Sequence, residues 1–299
     1  MVNVTEISFM MSSQTIAILR TILYTLMLLS FCVFIYFTTI ILYVFFTSPR
    51  IREDARYMLF IHMLINDALM IFVLTFIQLM YLYIVYIPVP ICYALITFAS
   101  SAFKITPYNL AIMSLERHFA ICYPLRHAEV CTLERSFWAI GGMWLVGLAP
   151  QLIDFIALYY AMPNGFFSTN LLCIFTAFRM TSFQITVKSV MENGTFVLVG
   201  LVILYTYIQI MVVARKIGSG RSSAFKAEKT VLLHALQLGL CLMCFTSAFT
   251  DAYLRKYFYV LPLTNHFLFL HIPRIISPLI YGVRDEVFRK HMRRMNFSS

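Results

Sequence analysis

Among the charges that the chain puts into strongly apolar surroundings, three places could do chemistry. The first is Glu116–Arg117, inside Met113–His127, which reads M-S-L-E-R-H-F-A-I-C-Y-P-L-R-H. An acid directly before an arginine at a helix end can pair with it locally. The arginine can still swing to another partner, as a two-state charge switch requires. A snorkelling arginine at a helix terminus is the plainer alternative. The second is Asp67, within L-F-I-H-M-L-I-N-D-A-L-M-I. A carboxylate deep in a bilayer costs several kcal/mol unless paired or hydrated. Sodium coordination, a water network, or an interhelical hydrogen bond shared with Asn66 would each meet that cost. The third is Lys104, which precedes Arg117 by about 20 Å of helix and either touches a ligand or pairs with Glu192, the reading preferred here.

Covalent or metal chemistry is not indicated. His62, His234 and His271 fall in separate apolar segments with no H-E-x-x-H spacing. Cys241 and Cys244 have the spacing of half a metal site but no second half, so they read as packing residues. The expectation is a protein that is not an enzyme and needs no cofactor or metal.

The elements that must position these charges are membrane spans. Of 299 residues, 61% are hydrophobic and 12% charged, with a mean hydropathy of +0.82. Soluble domains run near 45–50% apolar and about 25% charged. The formal net charge of +10 sits in short connectors between apolar runs. That pattern signals membrane topology and argues against nucleic-acid binding. Met1–Gln14 lacks the basic start and small-residue cleavage site of a signal peptide.

Seven apolar windows reach the roughly 20 residues that a span needs: Ile16–Phe46, Tyr57–Tyr83, Ile91–Tyr123, Ser136–Tyr160, Thr186–Ala214, Thr230–Tyr253 and Phe258–Tyr281. No internal repeat relates the halves, against the common transporter designs. Sixteen lysines and arginines fall in one set of connectors and five in the other. The positive-inside rule then puts the N-terminus outside and the C-terminus in the cytoplasm. The sequon at Asn3 agrees with that side; those at Asn193 and Asn296 fall within a span and on the cytoplasmic side. Of the seven cysteines, only Cys92 and Cys173 fall at extracellular positions. They form either a bridge over the bundle or two free thiols. The seventh window ends in Ser277-Pro278-Leu279-Ile280-Tyr281, where the proline permits a bend. Beyond it, Arg284–Phe297 places Val287, Phe288, Met292 and Met295 on one face of a short amphipathic helix suited to the lipid surface.

The ordered set of seven spans, an outside N-terminus, a third-span cysteine, Glu116–Arg117 and S-P-x-x-Y resembles the rhodopsin-like G-protein-coupled receptors. Within that family, M-S-L-E-R-H-F-A-I-C-Y-P-L-R-H is similar to the odorant-receptor signature M-A-Y-D-R-Y-V-A-I-C-x-P-L-x-Y. R-Y-M-L-F-I-H-M-L-I-N-D, K-T-V-L-L-H-A-L-Q-L-G-L-C-L and I-S-P-L-I-Y-G-V-R-D-E-V-F-R resemble odorant receptors of fishes and amphibians.

The resemblance implies an all-α seven-helix receptor in one domain over 1–299, with a helix 8 and tail over 284–299. It implies a small-molecule odorant as ligand, a heterotrimeric G protein of the stimulatory, cAMP-raising type, and placement in the plasma membrane of olfactory cilia, with accessory trafficking proteins as further partners. Arg117 would engage the G protein, with Glu116 its resting partner and His118, Tyr207, Pro278 and Tyr281 in the same switch. Asp67 and Ser277 would share a polar network, Trp144 would pack the fourth span, and Cys92–Cys173 would be the loop disulfide. Thr38 and Ser277 stand where the family carries asparagines, so the set for a sodium ion at Asp67 is incomplete. His118 replaces the family's tyrosine. Ala99 stands where amine receptors keep an aspartate, and the seventh span has no lysine for a retinal Schiff base. Ligand-lining expectations fall on Ala99, Ser100, Phe103 and Lys104 of the third span, Met191 and Glu192 of the fifth, and Phe267 and His271 of the seventh. The alternatives are a peptide or lipid receptor of the same fold, or a transporter or channel.

Overall fold

A computed structural model describes residues 13–174, 177–178, 182–217, 239 and 261–276. The expected sixth span apart from residue 239, the amphipathic helix after the seventh, and Asn3, Ser277, Pro278 and Tyr281 lie outside the described residues. Five helices are long and apolar enough to cross a membrane. They are α1 (Ser13–Thr47), α2 (Ala55–Leu82), α3 (Val89–Cys122), α4 (Leu133–Ala161) and α5 (Ser182–Ile217). Each contains one of the first five windows read from the sequence, give or take a residue at the ends. Part of the seventh window appears as helix over 261–276, with a π-helical turn at His266–His271.

The chain divides into two compact units, Met1–Val44 with Leu233–Ser299, and Phe45–Leu232. In the first, α1 buries the stripe Leu23, Met27, Phe34, Thr38, Ile41 and Val44, a spacing of three, four and seven that lines one helical face. His271 in the seventh-window segment is fully buried. Its Nδ1 stands 3.5 Å from Ser30 Oγ, and its ring lies 5.1 Å from that of His266.

In the second unit, α3 packs against α2, α4 and α5. Its buried positions include Ala99, Ser101, Ala102, Thr106, Asn109 and Ser114, small or hydrogen-bonding residues that let neighbouring backbones approach. Gly147 of α4 serves the same end: a Cβ there would lie 3.2 Å from Ile105 Cγ1. Local signals set the ends. Asp54 caps α2 by accepting from the Arg56 amide at 2.9 Å, and Thr132 caps α4 by accepting from the Arg135 amide at 3.3 Å. Pro124 occupies the first turn of a short helix, Pro124–Val130, that follows α3, where a missing amide hydrogen costs nothing.

At the N-terminal end of α3, strands β1 (Tyr86–Pro88) and β2 (Asn170–Leu172) pair antiparallel, with Ile87 opposite Leu171. Cys92 and Cys173 are joined in a disulfide with Cα atoms 5.5 Å apart, buried with Ile77 and Ile96. The bridge expected from the sequence is present.

Candidate functional site

The C-terminal end of α3 gathers Glu116, Arg117 and His127 of the Met113–His127 stretch. Glu116 is buried, with only 7% of its side chain exposed. Its Oε2 lies 3.7 Å from Arg117 Nε, and its Oε1 lies 3.0 Å from His127 Nε2. His127 comes from the short helix after α3, which begins where Tyr123 leaves helical geometry at φ −135°, ψ 60°. The sequence reading paired Glu116 with Arg117 alone; the shorter contact, to His127, was missed. An H eleven residues past an E reveals nothing unless the chain is known to turn between them.

Burial pushes the Cys131 thiol above its ordinary range, the Glu116 carboxylate adds to that rise, and Arg135 opposes it. The thiol thus registers the negative charge held at the end of α3.

His118 is buried, and among the described residues its Nδ1 finds no hydrogen-bond partner. Its ring stands 5.7 Å from Tyr123 and 5.9 Å from Tyr205 of α5. Tyr207, the α5 tyrosine singled out from the sequence, is 38% exposed. Tyr205 is the one set against His118, which residue type alone does not distinguish.

A second polar site lies along the α2–α3 contact. Asn66 Nδ2 donates to the Ala102 carbonyl at 2.9 Å and to Thr106 Oγ1 at 3.3 Å. Thr106 Oγ1 donates to Asp67 Oδ1 at 2.8 Å. These are the interhelical hydrogen bonds named above as one of three uses for a buried carboxylate. The other expected member of this network, Ser277, lies outside the described residues. Thr38 is buried with its hydroxyl oxygen unpartnered among the described residues. Further along, Asn109 Nδ2 donates to the Leu59 carbonyl at 3.0 Å and stands 3.3 Å from His62 Nδ1. The Trp144 indole donates to His62 Nε2 at 3.1 Å, so Trp144 bonds as well as packs.

The expected ligand-lining residues are spread. Ala99 is buried and Ser100, Phe103 and Lys104 are half-buried on α3, whereas Met191 on α5 is 53% exposed. Phe267 is half-buried and His271 buried in the other unit. One turn past Lys104, Tyr108 and Thr195 share a hydroxyl–hydroxyl hydrogen bond of 2.9 Å between α3 and α5.

The geometry defines a helical protein with spans long and apolar enough to cross a membrane, whose third helix is pinned by a disulfide at one end and carries a charge cluster around the buried Glu116 at the other. The sequence pattern of the 7 transmembrane receptor (rhodopsin family) matches residues 38–281, and the chain belongs to that family: a seven-helix membrane receptor, not an enzyme. It is similar to Odorant receptor 131-2 of Danio rerio, 29% identical over 86% of this chain and 80% of that protein. It also resembles two human proteins, Olfactory receptor 52A1, at 26% identity over 62% of each chain, and Olfactory receptor 4K3, at 29% over 62% of this chain and 60% of the other.

Proposed function

We propose that this chain is an odorant receptor that binds a small molecule from outside the cell and activates a heterotrimeric G protein of the cAMP-raising type within it. The observation that carries the reading is the placement of Glu116 and Arg117. At 34 residues, α3 is about 50 Å long, well beyond the ~30 Å hydrocarbon core. Its charged end therefore reaches the membrane surface, where a partner protein can meet Arg117. The connector charges put that end in the cytoplasm. The Cys92–Cys173 bridge then falls on the oxidising side, where a disulfide persists. The likeness to odorant receptors supports a place in the plasma membrane, and we infer from it that this membrane is that of olfactory cilia.

Ligand binding would shift the equilibrium between two helix arrangements by its differential affinity for them, with no covalent step. The ligand is expected among the outer turns of α3 and α5, near Lys104 and Phe103.

The test is cAMP production in cells co-expressing an olfactory-type stimulatory G protein, challenged with pooled water-soluble and volatile odorants, beside Arg117→Ala. A response that Arg117→Ala loses at equal surface staining supports the reading. A wild-type response that Arg117→Ala retains in full removes Arg117 from it.

A further inference from the structure

Glu116 and Arg117 are consecutive on a helix, so their side chains leave the axis about 100° apart. Their ion pair is correspondingly long, a single 3.7 Å approach through Nε in place of the two parallel bonds an arginine fork can make. The other carboxylate oxygen is held more closely, by His127 Nε2 at 3.0 Å. An imidazole donates from Nε2 as an imidazolium and as the neutral Nε2–H form alike, so the contact needs no particular charge state.

The ring is delivered by a hydrogen-bonded turn. The His127 amide donates to the Tyr123 carbonyl at 3.0 Å, and the Cys131 amide donates to the His127 carbonyl at 2.9 Å. His127 is 31% exposed and Glu116 only 7%. One partner thus reaches the carboxylate from the solvent side, from a segment distinct from α3. A carboxylate buried to this degree demands donors, and losing one increases its demand on those that remain.

We infer that His127 is a positioning residue for the charge switch: it competes with Arg117 for Glu116 and so sets how firmly Arg117 is retained. The inference rests on the proposed coupling of Arg117 to a G protein. With His127 in place, Glu116 divides its two oxygens and holds Arg117 by one long contact. Without it, the carboxylate is free to turn both oxygens to Arg117 and retain it. A lysine at position 127 carries a permanent charge and strengthens the competition.

The experiment compares ligand-free G-protein activation at matched surface expression for wild type, His127→Ala, His127→Lys, Glu116→Gln and the double variant His127→Ala/Glu116→Gln. His127→Ala is expected to lower basal activation roughly three- to tenfold, the scale of one ordinary hydrogen bond counted net of water, and His127→Lys to raise it. Glu116→Gln is expected to raise it and to abolish the effect of His127→Ala. Damage to the fold would lower His127→Ala and His127→Lys together, so a shift in the same direction overturns the inference. Persistence of the His127→Ala effect in the Glu116→Gln background overturns it as well. Amide hydrogen exchange over 124–131 in the purified receptor reads the contact without any G protein. His127→Ala should speed exchange there, and unchanged exchange overturns the inference while a signalling Glu116→Gln variant leaves the receptor reading intact. Faster exchange with every variant silent across a panel of G proteins instead overturns the coupling on which the inference depends.

Discussion

The indole Nε1–H of Trp144 reaches from α4 to His62 Nε2 on α2 across 3.1 Å. The bond ties two helices that flank α3, and it gives both polar side chains a protein partner within helices long and apolar enough to cross a membrane. Trp144→Phe keeps most of the ring packing and removes only the donor. We expect a loss of about 1–3 kcal/mol, the cost of leaving a buried acceptor unpaired. A lowered thermal midpoint of the detergent-purified protein would register it. An unchanged midpoint would mean that His62 finds another donor.

Thr106 both accepts from Asn66 and donates to Asp67. Thr106→Val is close in shape but does neither, and should destabilise by about 1–3 kcal/mol, whereas Thr106→Ser should retain most of the stability. Equal midpoints for Val and Ser at this position would show that the hydroxyl does not matter.

The Cys92–Cys173 bridge closes a sequence separation of 81. Cys92→Ser, Cys173→Ser and the double variant should lose the same stability, on the order of 2–5 kcal/mol, because each removes one and the same constraint. Surface expression and thermal midpoint measure this. A double variant much worse than either single would indicate roles for the separate thiols.

Because burial and Glu116 push the Cys131 thiol up, less of it is thiolate at neutral pH than in a free cysteine. Its alkylation, followed by peptide mass spectrometry, should be slow at pH 7.4 and keep rising above the pH at which an exposed thiol levels off. Glu116→Gln removes a raising charge and should speed alkylation; Arg135→Ala removes a lowering one and should slow it. If both variants moved the rate the same way, the electrostatic cause would be wrong.

The Tyr108–Thr195 hydrogen bond sets the register of α3 against α5. Counting back along both helices, Lys104 lies about 6 Å and Glu192 about 4.5 Å from that level. Two opposite charges at nearly one depth in a membrane are expected to pair. Lys104→Glu and Glu192→Lys should each reduce surface expression, and the combined swap should recover most of it. Failure of the swap to recover would favour a ligand role for Lys104.

Much of the architecture was legible because its causes are local. A window of about 20 apolar residues must become a helix in a bilayer, since the backbone has no other way to satisfy its hydrogen bonds there. The five described spans therefore fall where hydropathy put them. Glu116–Arg117, Asp67 and the Cys92–Cys173 pair stood out because charge in an apolar run, and cysteines confined to one side, are conspicuous in one dimension.

Tertiary structure decided which side chains meet. His127 reaches Glu116 only because Tyr123 breaks the helix and Pro124 starts another. Tyr205, and not Tyr207, lies against His118 because of the rotation of α5 about its axis. Thr106 bonds Asp67, and Trp144 bonds His62, through the registers of α2, α3 and α4. Periodicity is silent on such registers when a helix such as α3 is packed on several sides and shows no single apolar face. The sequence by itself determined that the chain spans a membrane and where its charges lie along each helix. Their partners follow from helix rotation and depth, which are set by packing among neighbours and not by the order of residues within any one segment.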